Sequence, residues 1–156
     1  MATIICYDRE GKAQPFASEE IGFRPAVYGI FIENDQVFLL KRPETNLFYP
    51  PGEVLGEDEP PTQIVRQQFR KLTGLVLQLG PLIFVEDQYV VDDEGQAWQL
   101  SLLYYALERP TITMAPTMAE VDDYEQPEWV SLDSLQREQM QFGYEAIQAA
   151  RLRLKL

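Results

Sequence analysis

Residues 49–75, YPPGEVLGEDEPPTQIVRQQFRKLTGL, constrain the fold of this 156-residue chain more than any other stretch. A turn of two prolines and a glycine leads through an acidic loop into apolar residues at helical spacing, which are Ile64, Val65, Phe69 and Leu72. Such a stripe predicts an amphipathic helix. Gly74 predicts its end, because glycine readily adopts the left-handed conformation that closes many helices. The stretch therefore predicts a loop, a helix and a second loop around one site.

Strand patterns occupy both sides of this segment. Residues 24–42 form two β-rich runs joined at residues 33–35, Glu-Asn-Asp, which predicts a hairpin directly before the helix. After the helix comes an apolar run at residues 75–85, punctuated by Gly80-Pro81. A second hairpin is predicted around residues 92–95, Asp-Asp-Glu-Gly, which favour a turn.

The last part of the chain predicts a strand followed by a helix. Residues 128–132 are typical of a strand, and Ser131 is a plausible N-cap for the helix that follows. Residues 134–154 predict that helix, and its basic end suits the negative pole of a helix dipole. Together with the earlier hairpins, this order predicts strands and helices mixed along the chain.

Size and composition predict one compact domain over residues 1–156, with a strand-like extension at residues 1–22. Cys6 is the only cysteine, so no intramolecular disulfide can form, and its apolar neighbours predict a buried thiol in a strand. The sequence has no apolar run of the length that a membrane span needs and no signal-peptide pattern at its start. We therefore expect a cytoplasmic protein.

Charge and the lack of histidine exclude several classes of function. With 25 acidic and 13 basic residues the net charge is -12, which argues against nucleic acid or an anionic membrane as partner. Because the chain has no histidine, it can form neither a Ser-His-Asp relay nor a histidine-ligated zinc site. Any catalysis must use carboxylates, lysine, tyrosine or a metal held by oxygen.

The segment at residues 49–75 resembles the motif of the Nudix (MutT-like) hydrolases, G-x5-E-x7-R-E-U-x-E-E-x-G-U, in which U is a bulky aliphatic residue. With the pattern's last glycine placed on Gly74, its first glutamate falls on Glu59, which is a glutamate. The run R-E-U-x-E-E falls on residues 67–72, where only the apolar position is kept, by Phe69. The opening glycine falls on Glu53, one residue after a glycine.

This resemblance extends over nearly all of the chain beyond its N-terminal extension, and it implies both a fold and an activity. The implied fold is α/β in the α+β sense, an α/β/α sandwich with a mixed β-sheet. The implied activity is cleavage of a nucleoside diphosphate linked to another group, with Mg²⁺ or Mn²⁺ as cofactor. A fold alone does not fix a function, so the residues of the motif must decide whether the activity is kept.

The helix lacks the carboxylates that the resemblance calls for. Residues three and four apart share a helix face, so the three glutamates of the motif converge on one patch. In this chain those positions carry Gln68, Lys71 and Leu72, and residues 60–73 contain no acid at all. The local charge changes from -3 to +1, a change that opposes binding of a divalent cation.

We therefore favour a ligand-binding or regulatory protein that is weak or inactive as a hydrolase. Its partner would be a small nucleotide or diphosphate, with Arg42 and Lys71 contacting phosphate in place of Mg²⁺. The residues expected at the ligand site are Arg42, Gly52, Glu53, Gln67, Gln68 and Lys71. Two chains could form a homodimer, and residues 3–16 could add a strand at such an interface.

Two alternatives stay open. The first is an active hydrolase with relocated carboxylates, in which Glu59 or Glu86 is catalytic and Glu57 and Glu59 bind metal. The second is a protein-protein interaction module with an empty pocket. A further acidic group, Glu120, Asp122, Asp123, Glu125 and Glu128, is typical of a solvated loop.

Overall fold

The computed structural model describes residues 2–110 and 126–155. Of the acidic group, the residues at 120–125 lie outside the described residues, whereas Glu128 is exposed on a strand and not in a loop. The strands are β1 Thr3–Tyr7, β2 Ala13–Ala17, β3 Gly22–Glu33, β4 Gln36–Lys41, β5 Phe48–Tyr49, β6 Gly52–Val54, β7 Gln78–Val91, β8 Ala97–Glu108 and β9 Gln126–Ser131. The helices are α1 Pro61–Thr73 and α2 Tyr144–Leu154. Neither described helix is long and apolar enough to cross a membrane.

The strands form a mixed sheet in the order β2-β1-β7-β8-β3-β4-β5, with β6 paired to β3 and β9 paired to β4. The pairs β1 with β7 and β3 with β8 are parallel, whereas β7 with β8 is antiparallel. The predicted mixed sheet is confirmed. Its central strands are where both helices meet the sheet, since α1 and α2 each contact β3 and β7.

Strand β3 separates two hydrophobic clusters because its side chains alternate between the faces of the sheet. Ala26, Tyr28 and Ile30 belong to the cluster that includes α2, whereas Val27 and Phe31 belong to the cluster that includes α1. A strand buried on both faces is apolar along its length rather than alternating. The sandwich of helices around a sheet is therefore as the sequence predicted.

The first hairpin and the end of α1 are confirmed. Asn34 and Asp35, between β3 and β4, both have positive φ, 52° and 59°, as a tight hairpin turn requires. Gly74 ends α1 with φ 75°, and its N–H donates to the carbonyl of Arg70 at 2.8 Å. These features depend on local sequence alone, which is why the sequence predicts them.

The second hairpin is also confirmed, but β7 is longer than expected. The run at residues 75–85 and the strand before the turn were predicted as separate pieces, whereas β7 is one strand of 14 residues, Gln78–Val91. Shifts of register against β8 between Leu79 and Phe84 absorb the Gly80-Pro81 pair. The irregularity therefore bends one strand instead of dividing it.

The prediction of a helix over residues 134–154 with Ser131 as its N-cap is wrong at its beginning. The Ser131 carbonyl accepts a hydrogen bond from the Leu135 N–H, and a short 3₁₀ turn, Arg137–Gln139, follows. Met140 then pairs with Phe48 of β5, and Gly143 has φ 93° immediately before α2. Pairing with β5 holds this segment extended, so the helix cannot begin until after Gly143.

The N-terminal extension adds to the sheet of its own chain. Strands β1 and β2 form a hairpin, and β1 lies parallel to β7 with Tyr7 opposite Val90. Cys6 is fully buried beside Val91, and burial raises the pKa of its thiol. The expected buried strand thiol is thus in place.

Candidate functional site

Glycine at position 52 brings the turn before α1 against the sheet. Gly52 in β6 pairs with Tyr28 in β3, and a Cβ at position 52 would lie 2.0 Å from the Val27 carbonyl oxygen. Only a residue without a side chain allows this approach. The next residue, Glu53, consequently lies opposite Val27, on the face of the sheet that α1 covers.

Glu53 and Gln68 join the turn to the helix. The Gln68 side-chain amide donates a hydrogen bond to a Glu53 carboxylate oxygen at 2.9 Å, and both side chains are half-buried. A hydrogen bond to a charged acceptor is stronger than one between neutral groups. Two of the predicted ligand-site residues therefore meet, with the amide nitrogen directed at the carboxylate.

Arg42 is fixed at the end of β4 by two contacts. Its Nε donates to the Gln141 side-chain oxygen at 2.7 Å, and its guanidinium lies 4.7 Å from the centroid of the Tyr49 ring. The second contact has cation–π geometry. Arg42 is exposed, so its charge is held in position at the protein surface.

Tyr28 is influenced by both the Glu53 carboxylate and the Arg42 cation. The side chain is 9% exposed, and burial raises the pKa of its hydroxyl to about 12. Arg42 opposes this shift, whereas Tyr49 and Glu53 add to it. Charges of both signs therefore act on this one phenol.

A second carboxylate adjoins Tyr28 from the side of α2. The Tyr104 hydroxyl donates to Glu86 at 2.5 Å, and the rings of Tyr28 and Tyr104 are 5.7 Å apart. Burial and this hydrogen bond both raise the pKa of Tyr104. The next residue, Asp87, faces the other way and accepts a hydrogen bond from Ser101.

Solved structures identify this architecture. A MutT NUDIX hydrolase from Burkholderia pseudomallei superposes with a TM-score of 0.62 and 20% identity, over 81% of this chain and 97% of that one. A mMutator MutT protein from Bacillus halodurans superposes with a TM-score of 0.61 and 20% identity, over 80% of this chain and 78% of that one. This chain has the Nudix fold. A UDP-X diphosphatase also superposes, with a TM-score of 0.55 and 13% identity, over 85% of this chain and 61% of that one.

The likeness concerns the fold. No protein-family model matches the chain, and no curated protein matches it. Identities of 20% or less leave each position of the site to be judged by its own chemistry.

The Mg²⁺ that the Nudix fold implies does not suit the side chains in the described part of this chain. Glu59 accepts a hydrogen bond from the Gly56 N–H at 2.6 Å within its own loop, while Glu53 and Glu86 are engaged by an amide and a phenol. Residues 2–110 and 126–155 contain no group of three or more acidic or cysteine side chains that could hold a metal ion. Glu57 is exposed in the loop.

Two other motif positions on α1 differ sharply in burial. Lys71 lies three residues after Gln68, on the same side of the helix, and is exposed. Leu72 is 4% exposed and packs in the cluster that includes Phe69 and Val65. The position after Lys71 is therefore used by the core, whereas Lys71 is available to a ligand.

Gln67 lies apart from Gln68. It lines a groove with Arg66 and Arg70 on the outer side of α1. Adjacent helix residues point about 100° apart, which explains the separation. The structure thus brings Arg42, Gly52, Glu53 and Gln68 into one region and places Gln67 in another.

Sequence reasoning missed Tyr28, Tyr49 and Gln141 as residues of this region. Gln141 is 99 positions from Arg42, so no local pattern connects them. Tyr28 and Tyr49 occupy apolar strands, where aromatic residues are normally assigned to the core. Only the fold brings them to Arg42.

Proposed function

We propose that this chain binds a ligand with a diphosphate group, such as a nucleoside diphosphate linked to another moiety. We further propose that its ordinary metal-dependent hydrolase activity is weak or lost. The observation that carries this proposal is the contact between Gln68 and Glu53. At the motif position where a carboxylate is expected, the helix instead donates a hydrogen bond to the nearby carboxylate.

The chemistry of these groups disfavours Mg²⁺. Mg²⁺ requires oxygen ligands in near-octahedral geometry, and Gln68 directs its amide nitrogen into the site. Lys71 adds a positive charge on the same side of α1. A cation would have to break the hydrogen bond with Glu53 and overcome repulsion by the Lys71 ammonium.

Arg42 provides the countercharge for a phosphate. Its bond to Gln141 uses Nε, so that contact leaves both terminal nitrogens for a ligand. A guanidinium binds phosphate oxygens in pairs, and Arg42 is already oriented by its contact with the Tyr49 ring. Preorganisation of this kind lowers the entropic cost of binding.

The test is thermal unfolding of the full chain with millimolar ADP-ribose, nucleotide sugars, dinucleoside polyphosphates and nucleoside triphosphates, in EDTA and in Mg²⁺ or Mn²⁺. We expect a rise in melting temperature in EDTA as well as in metal, because a ligand bound only by the folded state stabilises it. Turnover of the same compounds should be at least about a hundredfold below that of an ordinary Nudix hydrolase.

Charge variants assign any shift to the site. Arg42→Gln and Lys71→Gln should each reduce the shift, while Lys12→Gln, an exposed lysine in the turn after β1, should leave it unchanged. Turnover within tenfold of an ordinary enzyme would contradict the proposal in favour of a relocated active site, as would a shift that needs metal. No shift with any of these compounds would favour the interaction module.

A further inference from the structure

The outer side of α1 forms a groove of about 350 Å³. Arg66 and Arg70 line it, together with the polar side chains of Thr62, Gln63 and Gln67. Val76 and Leu77, which follow the helix, complete it. Leu77 is 1% exposed and belongs to the core beneath α1, so one wall of the groove is a rigid part of the protein.

The two arginines of this groove differ from most others in the chain. Arg9, Arg109, Arg137 and Arg151 each form an ion pair with a carboxylate. Within the described part of the chain, Arg66 and Arg70 form neither an ion pair nor a side-chain hydrogen bond. These two arginines lack a carboxylate partner there although acidic residues outnumber basic ones by 25 to 13.

Like charges one helical turn apart repel each other by a few tenths of a kcal/mol. An anion between Arg66 and Arg70 would replace this repulsion by two attractions. Guanidinium groups bind tetrahedral oxyanions through paired N–H groups, and the Thr62 hydroxyl and Gln67 amide add neutral donors at the same groove.

We propose that this groove is a second anion site, which binds the phosphate group of a small molecule. Its volume lies within the range of about 300–1,000 Å³ that is usual for small-molecule sites. Glu59 in the loop before α1 does not neutralise it, because its carboxylate accepts a hydrogen bond from the Gly56 N–H. The site is separate from Arg42, since Arg66 and Gln68 point about 200° apart around the helix axis.

The experiment is calorimetric titration of the full chain with inorganic pyrophosphate in EDTA, with ¹H–¹⁵N spectra recorded in parallel. We expect the amides of Thr62, Val76 and Leu77 to shift on titration. The double variant Arg66→Gln, Arg70→Gln should no longer show these shifts. Its affinity for pyrophosphate at this one site per chain should be at least about tenfold lower. Lys12→Gln with Lys155→Gln removes the same charge elsewhere and should leave both unchanged.

A lysine pair separates charge from geometry. In Arg66→Lys, Arg70→Lys both charges remain but the paired donors are lost, so affinity should fall between that of the wild type and that of the glutamine variant. The proposal is overturned if the glutamine variant, shown to be folded by its unfolding curve, binds pyrophosphate as the wild type does. Absence of shifts at these three amides would overturn it as well.

The same spectra keep this site distinct from the proposed function. Binding at the Arg42 site is reported by the amides of Gln68 and Gln141, and Arg42→Gln should remove those shifts alone. If the Gln68 and Gln141 amides never shift while the Val76 and Leu77 amides do, the proposed function fails and the groove site stands. The opposite pattern would remove the groove site and keep the proposed function.

Discussion

The two sides of α1 show opposite uses of polar residues. On one side Gln68 is bonded to Glu53, and the neighbouring Tyr28 responds to both Glu53 and Arg42. On the other side Arg66 and Arg70 face an open groove. A single amphipathic helix therefore ties one polar edge to the sheet and leaves the other to solvent. Spacing in the sequence thus identifies the buried stripe, whereas tertiary partners decide what each polar edge does.

The largest effect is expected where the motif position coincides with the core. Leu72→Glu places a carboxylate among Val65 and Phe69, and none of the described charged side chains is buried there. We expect a loss of at least about 3 kcal/mol in the free energy of unfolding, measured by urea denaturation. Leu72→Met, which keeps the volume, should cost less than about 1.5 kcal/mol. Equal stability of the glutamate and methionine variants would show that this side of α1 is open too.

An intermediate effect should appear in the dependence of stability on pH. Tyr28 has a pKa near 10 when unfolded and about 12 when folded, so the folded state favours the neutral phenol. The contribution of Tyr28 to the free energy of unfolding is therefore complete below pH 10 and is lost as the pH rises to 12. Between pH 10 and 12 we expect the Tyr28→Phe variant to lose about 2–3 kcal/mol less of its free energy of unfolding than the wild type does.

Tyr7→Phe is the matched control for this pH series, because Tyr7 is 52% exposed. Its curve should follow that of the wild type. Urea denaturation at half-unit steps between pH 9 and 12 provides the measurement. If Tyr28→Phe and Tyr7→Phe give the same curve, burial does not raise the pKa of Tyr28 as proposed.

The smallest effect concerns the Gln68 contact itself. Gln68→Glu removes the hydrogen bond to Glu53 and sets two carboxylates against each other. The free energy of unfolding in EDTA should fall by about 1–2 kcal/mol. Combined with Lys71→Glu, this side of α1 should gain a cation site, so 10 mM Mg²⁺ should raise the melting temperature of the double variant. The wild type should not respond. A double variant that is equally stable with and without Mg²⁺ would mean that Glu53 and position 68 do not converge.

Much of the fold follows from local sequence, and the site follows from it only in part. The hairpin turn at Asn34 and the helix end at Gly74 depend on residues that favour positive φ. The start of α2 was missed because Phe48, far away in the chain, pairs with Met140 and holds that segment extended. Tertiary pairing of this kind overrides local helix propensity.

The site residues illustrate the same division. Glu53 and Gln68 are ligand-site candidates because the motif resemblance supplies their positions, and Arg42 is one because it is a scarce basic residue at the end of the strand before the motif. The bond between Glu53 and Gln68 was not foreseen, since it depends on the close approach of Gly52 to β3. The groove at Arg66 has no counterpart in the sequence pattern, since only the fold places Val76 and Leu77 against it.

The outermost strand has a consequence for self-association. In the β1–β2 hairpin, backbone hydrogen bonds join Asp8 to Lys12 and Ser18 to Ala2. Hydrogen-bonded and non-hydrogen-bonded pairs alternate along an antiparallel ladder, so Pro15, opposite Ile5, is in a non-hydrogen-bonded pair and its backbone nitrogen points away from β1. Proline has no N–H to offer there, and a strand from another molecule cannot continue the ladder past it. The N-terminal hairpin therefore terminates the sheet, which guards this edge against fibre-like stacking and disfavours a dimer built by adding strands along β2.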